Sequence, residues 1–245
     1  MAAGNFIGIV GNGLNVNQRV YVEDNDLRDE WRLELLDDYK FTFYGITNFG
    51  HDHSSALASV LTELHNRTEF NNITLKKGAI GSSECNADLK NTKVFTSRSH
   101  GKHASDGTST LYTGIVLNDL DGSNMTCFTS HSYSSMTASS TYIHSTDRYD
   151  NLDLVLFIGC GTARGGEGAR NLPTRIVEQG AQTAIGFTAS INCAEANKWT
   201  KDFYNLLLQG ETVLSAATEL NHKYSEKSGL TSWVICGDEN YKLVP

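Results

Sequence analysis

Proline is almost missing from this chain: 245 residues hold two, Pro173 and Pro245. No proline-rich linker can therefore divide the sequence, and no segment repeats. The length suits a single α/β domain with a large core. Lysine and arginine never gather into a run, and a net charge of -8 leaves no footprint for nucleic acid or an anionic membrane. The five cysteines (Cys85, Cys127, Cys160, Cys193 and Cys236) stand far apart with no Cys-x-x-Cys pair. Neither a zinc knuckle nor a disulfide framework is indicated, and the odd count points to a reducing compartment or a reactive thiol. Residues Met1 to Val10 lack the basic start and unbroken apolar core of a secretory leader. The expected location is the cytoplasm, or export after removal of a leader absent from this chain.

What is present is a short, dense apolar run. Six of the residues Leu152 to Ile158 are apolar, too few to span a membrane and typical of a strand buried on both faces of a parallel sheet. It ends in Gly159, Cys160 and Gly161. Parallel sheets offer their working atoms at the carboxyl ends of strands, so a cysteine between two glycines there is placed as a nucleophile. The competing reading is one more buried small residue, since free cysteine is among the most buried types. A second run, Val94 to Thr96, leads into Ser99, His100 and Gly101. Strands of one parallel sheet bring such ends together, and a thiol beside an imidazole has the partner it needs to react near neutral pH.

Around these motifs the sequence alternates strands and helices. Residues 1–40 form an N-terminal extension packed on the domain, charged and helical or irregular over Arg19 to Lys40, and 41–245 form the domain proper. Lys40 to Thr47 is the first core strand, Leu57, Val60, Leu61 and Leu64 line one face of a helix, and Ile73 to Leu75 is an edge strand. Lys102 to Thr110 is expected to be a mobile surface loop. Leu111 to Leu117 pairs with Met125 to Thr129 as a hairpin, and Tyr142 to Tyr149 is expected to be a helix. Pro173 opens a helix that Gly180 stops, Thr183 to Ala189 is a strand, two helices follow, and Ser232 to Cys236 is the last strand. The sum is an α/β layer sandwich.

With the two motifs in view, the chain resembles the caspase-like cysteine peptidases of clan CD, which include caspases, metacaspases, clostripain, gingipains and the bacterial CHAT domains. These carry one hydrophobic strand ending in His-Gly and a second ending in the nucleophilic Cys; here the phrases are SRSHG at His100 and FIGCG at Cys160. The order of elements matches from Phe41 to the end, with a likeness to bacterial members at the closing GDENYKL. One departure is Gly159, where many relatives have Ala or Ser. The resemblance implies a caspase-like three-layer α/β/α sandwich with a mainly parallel sheet and an endopeptidase with a Cys160 and His100 dyad. It also implies an oxyanion hole from the amides of Gly101 and Cys160. The pocket for the residue before the scissile bond would draw on Asn48, His51 and Asp52 and on Ser190, Asn192 and Glu195. A carboxylate such as Asp52 or Glu195 on its floor would select Arg or Lys; the rival is an acid-selecting pocket using Arg98 or Arg164.

The implied partner is a polypeptide substrate, with no cofactor. Calcium dependence, as in clostripain, is weighed because Asn118 to Gly122 has the flavour of a calcium loop without its full oxygen series. His51, Asp52, His53 and His103 suggest a zinc-dependent hydrolase as a competing class, but without the helical four-residue spacing of a two-histidine site. Gly165, Gly166 and Gly168 lack the Lys-Ser/Thr of a phosphate loop. The alternative from the binding class is a caspase-like module without turnover.

Overall fold

The computed structural model describes residues 21–23, 30–32, 40–46, 54–66, 72–105, 107–118 and 125–244. Asn48, His51, Asp52 and His53 lie outside them, as does most of the calcium-loop candidate. The chain divides into two compact units, Met1–Asp38 and Tyr39–Pro245. In the first, β1 (Tyr21–Glu23) pairs antiparallel with β2 (Glu30–Arg32), Val22 opposite Trp31. An antiparallel strand pair thus stands at these residues where helical or irregular chain was expected.

The second unit is built on six strands: β3 (Lys40–Gly45), β4 (Asn72–Lys77), β5 (Val94–Arg98), β10 (Leu154–Ile158), β11 (Thr183–Phe187) and β12 (Trp233–Gly237). Their spatial order is β12-β11-β10-β5-β3-β4, parallel except for β12. β10, β5 and β3 are inner strands whose described residues are nearly all buried. That is why Leu154–Ile158 reads as a continuous apolar run instead of an alternating one. The alternation survives as a choice of layer. Leu154, Leu156 and Ile158 pack with α1 (Ser54–His65), α4 (Cys193–Leu208) and α5 (Val213–Lys223); Val155 and Phe157 pack on the other face with α2 (Ser82–Lys90) and α3 (Leu172–Glu178). The result is a three-layer α/β/α sandwich.

Local signals set the helix ends. Asn171 Oδ1 accepts from Thr174 N at 3.0 Å ahead of Pro173 in the first turn of α3, and Thr212 Oγ1 accepts from Ser215 N at 3.1 Å at the start of α5. Among the described residues, no helix is long and apolar enough to cross a membrane.

Two further expectations are corrected. The loop foreseen over Lys102 to Thr110 is largely a strand, β6 (Gly101–Ser105), which pairs antiparallel with β7 (Thr110–Asn118); β8 (Thr126–Thr129) and β9 (Thr141–Tyr142) complete this four-stranded sheet. Its polar sequence hides a strand because only the partner β7 carries the apolar face, through Ile115 and Leu117. The helix foreseen over Tyr142 to Tyr149 is instead a chain of turns. There Asp147 takes the place of helical hydrogen bonds, accepting from His144 N at 2.8 Å and from Lys90 Nζ at 2.6 Å.

Burial pushes the Asp147 carboxyl up, but the Lys90 ammonium and the His144 amide outweigh it and hold the group below its ordinary value. The stability it contributes is therefore whole above the unfolded carboxyl's pKa of about 3.9 and is lost as pH falls through the lower folded value. Asp147→Asn is expected to cost about 1 kcal/mol at neutral pH, discounted because Lys90 is partly solvated. In thermal melts from pH 7 to 3, the gap between wild type and variant should close at the acid end.

Candidate active site

β5 and β10 are neighbours in parallel register, with Arg98 opposite Ile158. His100 and Cys160 each follow two residues later, so they leave the same lip of the sheet about one strand spacing apart, on the order of 5 Å. Both side chains are half-buried, the His100 ring turning its Nε2 into the protein. The fit between the two turns is tight. A Cβ on Gly101 would sit 1.7 Å from the Cys160 carbonyl oxygen and 3.0 Å from its nitrogen, while one on Gly159 would lie 2.8 Å from the Ser99 carbonyl oxygen. Glycine at 101 thus answers a close approach of two backbones. Gly159 answers the same crowding from the other turn.

The thiol leans the other way, towards the exit of β11. Ile191 N donates to Cys160 Sγ at 3.4 Å, and Sγ lies 3.8 Å from the Ile191 carbonyl oxygen. The turn carrying it is stapled by Thr162, a residue that the sequence reading passed over. Thr162 Oγ1 donates to Phe157 O at 2.8 Å and accepts from Phe187 N at 3.0 Å, tying β10 to β11 directly beneath the cysteine. Gly159 N donates to Phe157 O at 3.1 Å and Gly161 N to Ala189 O at 2.9 Å. With both neighbours committed, the Cys160 N–H is this turn's candidate donor to a ligand. Of the five cysteines, only Cys160 and Cys193 are not buried.

The segment leaving β11 is held by the turn at residues 226–229: Asn192 N donates to Ser228 O at 2.8 Å, and Gly229 packs against the Ser190 carbonyl. Ser190 is exposed. Asn192 Oδ1 caps α4, accepting from Glu195 N at 3.1 Å, and the Glu195 carboxylate pairs with Lys198 at 2.9 Å. Arg98 does not reach an open pocket. It is 3% exposed, and its guanidinium donates to Asn197 Oδ1, to the carbonyls of Ile158 and Cys193, and to Cys193 Sγ at 3.1 Å. Burial lowers its pKa, partly offset by the two nearby thiols, Cys193 and Cys160. Without a carboxylate among these contacts, Arg98 works as an internal clamp between β10 and α4 and drops out as the basis of an acid-selecting pocket.

His103 and Arg164 are exposed beside the thiol turn and hydrogen-bonded to each other. Among the described residues, no three His, Cys, Asp or Glu side chains are grouped to hold a metal ion.

These strands, their order and the rim they share define the caspase-like α/β class. The structure of the Arg-specific cysteine proteinase gingipain R (RgpB) superposes with a TM-score of 0.55 at 10% identity, covering 83% of this chain and 47% of that one. The complex of the Porphyromonas gingivalis RgpB pro- and mature domains superposes at 0.54 and 9% identity, covering 82% and 47%. The chain spans about half the length of these solved structures, and at such identity what is shared is the fold. No protein-family model and no curated protein matches the sequence.

Proposed function

We propose that this protein is a cysteine endopeptidase that works through Cys160 and His100. The observation carrying this reading is the delivery of both residues to one sheet lip by adjacent in-register strands, with Gly101 pressed against the Cys160 backbone. The Cys160 thiol passes its proton to His100 as its sulfur adds to a peptide carbonyl carbon, and the carbonyl oxygen becomes an oxyanion facing the amides of Gly101 and Cys160. Each preorganised donor of this kind lowers the barrier by a few kcal/mol. As the tetrahedral adduct collapses, the C–N bond breaks and His100 gives its proton to the leaving amine. The thioester left on Cys160 is then hydrolysed by water that His100 deprotonates, releasing the acid and the thiol. No step calls for a cofactor.

The pocket for the residue before the scissile bond draws on Asn48, His51, Asp52, Ser190, Asn192 and Glu195. An acidic floor at Asp52 or Glu195 would select Arg or Lys. Two features support it: Glu195 stands in the first turn of α4 directly beyond the β11 exit, and the fold is shared with an Arg-specific proteinase. Incubating purified protein with a mixed peptide library, with and without calcium or a chelator, tests the proposal. Cleavage after Arg or Lys is the expected result. A library left intact, or cleavage abolished by the chelator and surviving Cys160→Ala, would overturn it in favour of a binding module or a metal-dependent hydrolase respectively.

A further inference from the structure

We propose that His103 and Arg164 form a carboxylate-binding subsite on the leaving-group side of the Cys160 thiol, so that bonds followed closely by Asp or Glu are cut in preference. The inference rests on the peptidase reading for its direction and on the local structure for its chemistry. β6 starts at Gly101, and alternate residues of a strand share a face. His103 therefore stands on the side from which Gly101 meets Cys160, one pleat further along. Its ring packs over the turn after the nucleophile: a Cβ on Gly161 would lie 3.1 Å from His103 Nδ1. The Arg164 guanidinium donates to His103 Nε2. Arginine has no acceptor, so that nitrogen bears no proton, and the ring's proton sits on Nδ1. Partial desolvation of the otherwise exposed ring, then Arg164, then Lys102 hold the His103 pKa below its ordinary value. The charges acting at this ring are thus both positive.

The surroundings carry the same sign. Segments Gly101–Ser105 and Gly161–Arg170 hold Lys102, Arg164 and Arg170 against one carboxylate, Glu167, in a chain whose net charge is -8. Past Arg164, these segments and residues 107–110 border a cavity of about 420 Å³ lined by Ser105, Thr108, Ser109, Thr110, Gly165 and Arg170 among others. Hydroxyls of Ser105, Thr108, Ser109 and Thr110 border it, and it can accept the chain beyond an anchored carboxylate. Direction follows from proton transfer. The leaving amine must lie beside its acid, His100, and β6 continues from His100, whereas the thiol leans towards β11. The leaving segment therefore runs over β6 and meets the planar donor fork of Arg164, suited to a carboxylate.

Two measurements test the proposal. One compares alkylation of Cys160 by iodoacetate and by iodoacetamide at low salt, which needs no turnover. The iodoacetate to iodoacetamide rate ratio is expected to fall about fivefold or more in Arg164→Gln, and to fall in wild type as salt screens the field. The other takes a cleaved library peptide and places Glu or Gln at the first two positions after the scissile bond. The Glu peptides should show about tenfold higher kcat/KM in wild type, and Arg164→Gln or His103→Gln should shrink that ratio towards one. An unchanged alkylation ratio, or cleavage indifferent to Glu, overturns the subsite. Absence of cleavage with a shifted alkylation ratio overturns the peptidase reading and leaves the anion site beside the thiol standing.

Discussion

Peptide hydrolysis is expected to fall by about 10⁴-fold or more in Cys160→Ala, because under the proposed mechanism loss of the nucleophile removes the covalent route entirely. What remains should be no more than the contribution of positioning and the oxyanion donors. The substitution removes one sulfur whose hydrogen-bond partner among the described residues is the Ile191 backbone, so the thermal midpoint should hardly move. Selective labelling by a peptidyl electrophile or iodoacetamide should vanish with the thiol. Cys193, half-buried and hydrogen-bonded by the Arg98 guanidinium, is the internal control. If Cys193→Ala removes activity while Cys160→Ala retains it, the nucleophile has been assigned to the wrong strand exit.

The second large effect is expected from a single methyl group. In Gly101→Ala the new Cβ would stand 1.7 Å from the Cys160 carbonyl oxygen and 2.7 Å from its carbon, and neither backbone is free to yield. Cys160 follows β10, which is paired on both sides, and Gly101 opens β6, opposite Ile115 of β7. The two turns must therefore separate. Misaligning one of the proposed oxyanion donors would cost about 10²- to 10³-fold in kcat, and overpacking costs about 1–3 kcal/mol of stability. Activity should thus drop by at least about 10²-fold together with a melting point lower by several degrees. Gly81→Ala makes the comparison: its nearest neighbour beyond the chain is Glu84 Cβ at 3.9 Å, and neither quantity should change. Full activity in Gly101→Ala would show that the two turns do not meet as described.

Much of the fold could be read from residue patterns because inner parallel strands need apolar side chains on both faces. Leu152 to Ile158 and Lys40 to Gly45 announce themselves for that reason, as do the amphipathic helices with Leu57, Val60 and Leu64 or Trp199, Phe203 and Leu207. Edge and accessory strands carry no such demand. Gly101–Ser105 is polar at nearly every position and becomes a strand only because β7 offers it a ladder. Tyr142 to Tyr149 has apolar residues at helical spacing, yet Asp147 binds the local backbone and Lys90 in its place. Thr162 gave no signal at all, since a threonine after Cys-Gly looks like loop until β11 supplies its partner Phe187 N.

The sequence by itself determined the layered α/β class, the two strands that end in His100 and Cys160, and the need for glycine beside each, because burial and backbone crowding constrain residue type directly. Only the tertiary structure decided that those strands are neighbours in register, that the Arg98 cation is sealed between β10 and α4, and that His103 and Arg164 stand together beside the thiol. Each of these is a relation between segments tens of residues apart, fixed by strand order and long-range hydrogen bonds, and no local pattern of side chains records which strand will lie beside which.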